Sequence, residues 1–177
     1  MVKADPPLIN SPEAFAAQFP VSRETLDRLK TYEALLKRWQ KTINLVAPST
    51  LDQIWHRHFA DSAQVYFASI PAIPAALQGE GKPPIAYLDI GSGAGFPGLV
   101  IAILAAEHGG TRHTLIESDS RKAAFLREVA RNTGVVVDIL CTRIENNENQ
   151  AKVREVNCIT ARALAPLPRL IELAYPY

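Results

Sequence analysis

The sequence predicts an α/β fold: a parallel sheet covered by helices on both faces, preceded by a helical extension. Three observations carry this. From Ile85 onward, short β-branched runs alternate with helical patterns. A glycine-rich turn joins the first such run to an apolar helix. Residues 1–80 show helical periodicity and no strand pattern. The 177 residues suit about one domain, expected as an extension over 1–80 and a core over 81–177.

The elements follow in order. Met1–Asn10 reads as a tail, because Pro6-Pro7 blocks regular structure. Ser11-Pro12-Glu13 starts a helix with a cap, a first-turn proline and an acid, and Pro20 ends it. Ser22 caps a longer helix, in which Leu26, Leu29, Tyr32, Leu36 and Trp39 form an apolar stripe. Its other face holds Arg23, Arg28, Lys30, Lys37, Arg38 and Lys41, interspersed with Glu24, Asp27 and Glu33. That face is either an RNA-phosphate surface or a solvated helix face. A turn at 44–48 precedes a capping-box-like Ser49-Thr50-Leu51-Asp52, with helices expected at about 50–59 and 62–69. Residues 78–84 read as a loop.

Strands are expected at 85–90, 113–117, 135–140 and 157–161, and helices at 97–106, 121–131, about 147–154 and 165–174. The expected strand order is 3-2-1-4. Only four strands can be assigned. A sheet cut off there leaves the fourth as an exposed edge and predicts self-association through it.

Composition excludes several classes. Hydrophobic residues are 47% and charged residues 21%, with net charge +1, which argues against a disordered chain and a strongly basic nucleic-acid coat. The longest apolar run, Phe96–Ala106, is too short to span a bilayer, and the first ten residues lack the apolar segment of a signal peptide. Two cysteines, Cys141 and Cys158, make no disulfide framework and read as buried thiols in a reducing compartment. On the expected strand order they stand roughly 14 Å apart, beyond disulfide reach. The expectation is a cytoplasmic protein without membrane contact.

The chemistry concentrates at Asp89-Ile90-Gly91-Ser92-Gly93-Ala94-Gly95-Phe96-Pro97-Gly98. Glycines at a strand-to-helix turn let the backbone bend sharply and let a ligand approach it. Gly93-x-Gly95-x-x-Gly98 matches the dinucleotide pattern, and Glu117 lies 19 residues after Gly98, where a ribose-binding acid is expected. A dinucleotide-dependent oxidoreductase is therefore one reading. Asp89 favours the other, S-adenosylmethionine, because a carboxylate there repels a pyrophosphate and suits an ammonium and a sulfonium. Glu117 is assigned to the ribose hydroxyls and Asp119 to a helix cap. No metal site is expected, since His56 and His58 face different directions on a helix. His58, Asp61 and Ser62 are read as fixing the helical layer against the sheet. His108 and His113 are read as meeting solvent.

Several separate segments resemble one family. They are Trp39 with Asn44-Leu45, Arg57-His58-Phe59-Ala60-Asp61-Ser62, the glycine motif with its Phe96-Pro97-Gly98 ending, Lys122 with Phe125-Leu126, Arg143-Ile144-Glu145, and Thr160-Ala161-Arg162-Ala163. Together they resemble the glucose-inhibited division protein B family, the guanine-N7 methyltransferases of 16S ribosomal RNA, over about residues 25–177. The resemblance implies a Rossmann-like S-adenosylmethionine-dependent methyltransferase sheet, truncated after its fourth strand. It implies that Gly91 and Phe96 contact the methyl donor and that Ile144 and Glu145 lie against its adenine. Arg162 would line the cofactor and substrate site and is the candidate catalytic residue, able to hold guanine O6 or a phosphate bidentately. Asn157 stands where the family usually has Asp. A non-catalytic cofactor- or RNA-binding fragment is the remaining alternative.

Overall fold

The computed structural model describes residues 8–177 apart from 78, 80, 147, 149–151 and 154. Its first helices form where the caps foretell them. Ser11 Oγ accepts the Ala14 amide at the start of α1 (Pro12–Gln18), and Ser22 Oγ accepts the Thr25 amide at the start of α2 (Arg23–Trp39). Leu29, Tyr32 and Leu36 of α2 are fully buried, which is the expected stripe.

The next segment departs from expectation. Instead of a helix over about 50–59, a 3₁₀ segment (Pro48–Gln53) leads into a wide π-type turn (Trp55–Ala60) and then α3 (Asp61–Ser69). Widened turns of this kind shift side chains around the helix axis and are frequent at functional sites. Here the turn carries Arg57 and His58.

The core is a four-stranded parallel sheet in the order β3-β2-β1-β4, as expected. The strands are β1 (Ile85–Ile90), β2 (Thr111–Ile116), β3 (Asp138–Leu140) and β4 (Cys158–Thr160). β3 is shorter than the run 135–140. Gly134 ends the preceding helix in a left-handed conformation, Val136 is exposed, and pairing begins only at Thr114 opposite Asp138. α4 (Gly98–Ala105) and α5 (Ser120–Thr133) follow β1 and β2, and α6 (Leu167–Ala174) follows β4. The helix expected over about 147–154 falls largely outside the described residues.

Strand periodicity sends β1 side chains to two cores. Tyr87 joins a large cluster with Phe15, Leu29, Tyr32 and Phe59 of the extension and with α4 and α5. Leu88 and Ile90 join Ile116 and Val153 on the opposite face, where Leu170 and Leu173 of α6 pack. All eight residues of α4 are buried, so this helix is sandwiched rather than amphipathic. α2 is pinned to α5 at its far end. The Trp39 indole donates to Glu128 Oε2 at 3.1 Å, and Arg38 pairs with the same carboxylate.

Two further expectations are corrected. His113 is buried, stacked on Tyr87 with ring centroids 5.2 Å apart, rather than solvent-facing. Cys141 is exposed rather than buried, because it lies just past the short β3; both cysteines are free.

Candidate active site

The glycine turn leaves β1 at the carboxyl edge of the sheet, the usual ligand position in open α/β sheets. Gly91, Gly93 and Gly95 all have positive φ, at 67°, 56° and 90°. Each conformation is one that L side chains rarely adopt. Gly95 is also sterically locked, since a Cβ there would stand 2.5 Å from Tyr32 Oη and 2.8 Å from Leu99 Cδ1. Tyr32 braces this turn from the extension. Its hydroxyl donates to the Ala94 carbonyl, and its ring stacks on Phe96 at 5.2 Å and 7°.

Beside the turn is a cavity of about 930 Å³, within the range of small-molecule sites. Gly91, Ser92, Gly93 and Phe96 of the turn, Glu117, Arg162, and Arg57, His58, Asp61 and Gln64 of the extension line it. A smaller cavity of about 280 Å³ adjoins it, lined by Ile144, Glu145 and Arg169. Gly91, Ser118 and Leu164 line both. Leu164 lies on Gly91 so closely that a Cβ added to Gly91 would sit 2.6 Å from Leu164 Cδ1. The preceding Ala163 has φ of 53°, a left-handed conformation in a residue with a side chain.

The expected site residues divide as follows. Gly91, Gly93, Phe96, Glu117 and Arg162 meet at the large cavity, and Ile144 and Glu145 meet at the small one. Glu117 is buried at the end of β2. Its Oε2 accepts the Gly93 amide at 2.7 Å and its Oε1 the Asp119 amide at 2.7 Å. Each oxygen retains a second lone-pair direction. Asp119 caps α5, its Oδ1 accepting the Lys122 amide at 3.2 Å and the Arg121 amide at 2.8 Å, and those bonds hold its carboxyl below the ordinary range. Glu145 lies 3.5 Å from Arg169, and Ile144 lends its carbonyl to the Tyr177 hydroxyl at 2.9 Å.

Besides lining the cavity, Phe96 supports its neighbours. Its ring is only 3% exposed, stacked by Tyr32 and by His58 at 4.9 Å, with the Arg162 guanidinium 5.1 Å from its centroid. The ring is therefore a platform for other side chains. Arg162 leaves β4 and reaches the extension, donating to the Arg57 carbonyl at 3.2 Å and pairing with Asp61 at 3.4 Å.

Asp89 lines neither of these cavities. Its carboxylate is buried under the turn, against Gly98, where Oδ1 accepts the Thr160 hydroxyl at 2.7 Å. Burial raises its pKa to about 6 despite the Thr160 bond. Repulsion of a pyrophosphate thus does not act across the cavity in the way the sequence suggested. The residue instead ties β1 to β4.

Sequence reasoning missed Tyr32 and Leu164. Tyr32 looks like any core position of an amphipathic stripe, and nothing local marks Leu164. His58 bonds Thr50 and stacks on Phe96, and Asp61 pairs with Arg162, so this segment does fasten the extension to the sheet. On α2, five of the six expected cations (Arg23, Arg28, Lys30, Lys37, Arg38) lie within 4.0 Å of a carboxylate, which favours a solvated face. Among the described residues no cluster of His, Cys, Asp or Glu is arranged to hold a metal, and no helix is long and apolar enough to cross a membrane.

Comparison with known proteins shows the family of the chain. The model of the family rRNA small subunit methyltransferase G (GidB) matches residues 25–177. The ribosomal RNA small subunit methyltransferase G of Parvibaculum lavamentivorans is 47% identical over 176 residues, 99% of this chain and 72% of that protein. The protein of the same name from Rhodospirillum centenum is 54% identical over 160 residues, 90% of this chain and 65% of that protein. The one from Rhodospirillum rubrum is 48% identical, covering 94% and 74%. The chain therefore spans between 65% and 74% of the length of these three relatives. In fold, it is similar to a protein-L-isoaspartate O-methyltransferase from Plasmodium falciparum solved with S-adenosyl-L-homocysteine (14% identity, TM-score 0.52, covering 92% of this chain and 77% of that one). It is also similar to a variant of MtNAS solved with S-adenosylmethionine (16% identity, TM-score 0.51, covering 94% and 63%).

Proposed function

The chain belongs to the rRNA small subunit methyltransferase G family, and on that premise we propose that it transfers a methyl group from S-adenosylmethionine to N7 of a guanine in 16S rRNA. The observation that carries this reading is the meeting of the glycine turn, Glu117 and Arg162 around one cavity, which residues of the extension also line. The residues fit the donor. Gly91 and Gly93 present backbone without side chains, and Glu117 keeps lone pairs for two ribose hydroxyls while its other bonds hold Gly93 and Asp119 in place. Ile144 and Glu145 line the adjoining cavity, which supports their assignment to the adenine. Gly91 and Phe96 act here through the shape of the turn, and Asp89 supports that turn from beneath.

S-adenosylmethionine supplies an electrophilic methyl group on a sulfonium. Guanine N7 carries a lone pair and no proton, so no side chain has to remove one. The protein's task is positioning, which holds nucleophile, methyl carbon and sulfur in line. Arg162 is suited to this task. Asp61 and the Arg57 carbonyl fix its guanidinium beside the platform of Phe96, and a guanidinium can grip guanine O6 or a phosphate. Arg57, Lys122 and Arg162 line this cavity and supply cations for an RNA substrate. The small ribosomal subunit is the partner and the cytoplasm the setting, and the β4 edge is a site of self-association.

Incubating the chain with methyl-labelled S-adenosylmethionine and undermethylated small subunits tests this. The expected product is label in 16S rRNA that cleaves at N7-methylguanosine. Donor binding with no transfer would instead support a non-catalytic module. Arg162→Lys, which loses the planar fork, is expected to lower kcat/KM about 100-fold; an unchanged value would remove Arg162 from the site.

A further inference from the structure

One apolar side chain of the site lies across the path that a bound donor would take. Leu164 is 37% exposed, outside the buried cluster that holds Ala161 before it and Leu170 after it. Its side chain rests on Gly91. A Cβ added to Gly91 would sit 2.6 Å from Leu164 Cδ1 and 3.0 Å from Cδ2. Leu164 therefore fills the face of the turn that glycine leaves clear. Glycine at a strand-to-helix turn serves to bring a ligand close to the backbone. The side chain and a ligand lying on this turn need the same space.

The segment around Leu164 crosses from one cavity to the other. Arg162 and Ala163 line the large cavity, Ala165 and Arg169 line the small one, and Leu164 lines both together with Gly91 and Ser118. Residues that line two adjoining cavities form the partition between them. The segment is tied on either side of Leu164, by Arg162 to Asp61 and the Arg57 carbonyl, and by Arg169 to Glu145 at 3.5 Å. Between these ties Ala163 is held at φ of 53°, a backbone state that persists only while its surroundings enforce it. On the donor-site reading proposed above, the ribose belongs to Glu117 in the large cavity and the adenine to Ile144 and Glu145 in the small one. A single glycosidic bond joins the two, so the bound donor passes through the partition. Two of the three partition residues are fixed by their neighbours. The Ser92 amide after Gly91 is bonded to the Ile116 carbonyl at 3.0 Å, and Ser118 lies between Glu117 and Asp119, which are themselves bonded at 2.7 Å. Leu164 is the part free to swing. We propose that Leu164 is the gate of the donor site, and that S-adenosylmethionine enters only after this side chain leaves Gly91.

Surface plasmon resonance with S-adenosylhomocysteine separates a gate from an ordinary contact. A side chain that merely touches bound ligand slows its departure, so truncating it raises koff alone. Binding that waits on a conformational change associates slowly, and Leu164→Ala is expected to raise kon about tenfold. An unchanged kon, or a rise in koff alone, would overturn the gate. The unaltered chain decides the matter even if the variant does not fold. Nuclear Overhauser effects between the Leu164 methyls and the Gly91 α-protons are expected in the chain alone and lost at saturating S-adenosylhomocysteine. Their persistence in the complex would overturn the gate and leave the donor site standing. A chain that does not bind S-adenosylhomocysteine would overturn the donor-site reading itself, and the gate with it.

Discussion

Three buried titratable residues give the chain a pH signature. Burial lowers His58 and His113 to about 4, below the unfolded value near 6.5. Their contribution is intact above about 6.5 and is lost as pH falls toward 4, because the unfolded chain takes up those protons first. Each amounts to about 3 kcal/mol at most. Asp89, raised to about 6 by burial, acts in the opposite sense. Its burial costs stability as pH rises from about 4 to 6, so acidification relieves that cost and offsets about one histidine. Unfolding free energy from denaturant melts should therefore drop between pH 7 and pH 4. His113→Gln should flatten most of the net slope, and a wild-type profile that is already flat would contradict the burial of these rings. At Glu117, replacement by Gln removes one of the two acceptors that hold Gly93 and Asp119. Calorimetry should show at least tenfold weaker S-adenosylmethionine binding. The positions of Gly91, Gly93 and Glu117 were legible because strand, turn and spacing constrain them locally. The burial of Asp89 was not legible. Which way its side chain turns depends on Gly98 at the start of α4 and on Thr160, 71 residues away.

At the scale of elements, the extension and the glycine turn form one device. Tyr32 on α2 holds the Ala94 carbonyl and backs Phe96, which in turn carries His58 and Arg162. Removing the hydroxyl in Tyr32→Phe should cost about 1 kcal/mol of stability. It should also raise KM for S-adenosylmethionine more than KM for RNA, because the turn relaxes while the extension's wall remains. Equal changes in both would show that Tyr32 serves packing alone. Gly95→Ala forces a Cβ against Tyr32 and Leu99 at positive φ. A loss of about 2–3 kcal/mol is expected in thermal or denaturant melts. The order of helices and strands could be read from periodicity and caps, and the strand order from the parallel crossovers. The 48–60 segment could not. Its apolar spacing is compatible with an α-helix, and only its packing against Phe96 and Thr50 distinguishes the π-type turn. Leu164 escaped for the same reason, since its place over Gly91 is set by the backbone at Ala163.

The whole molecule has one large core shared between the extension and the sheet. Phe15, Leu29, Tyr32 and Phe59 pack in the same cluster as α4, α5 and Leu115 of β2. Residues 81–177 alone would expose that face of α4 and α5. That fragment should bind hydrophobic dyes and lack a cooperative melt, and a cooperative transition would show that the core stands alone. On the far side, β4 pairs only with β1 among the described residues, and Leu167, Ile171 and Tyr175 are exposed at four-residue spacing along α6 and its end. Light scattering should find concentration-dependent association that Ile171→Lys reduces; a monodisperse monomer throughout would contradict it. The central claim concerns the two adjoining cavities on either side of Gly91, read as one methyl-donor site. Calorimetric titration with S-adenosylmethionine, using NADH as the control, tests it most directly. The account predicts saturable binding of S-adenosylmethionine, abolished by Glu117→Ala, with no heat from NADH. Binding of NADH, or of neither ligand, would contradict it.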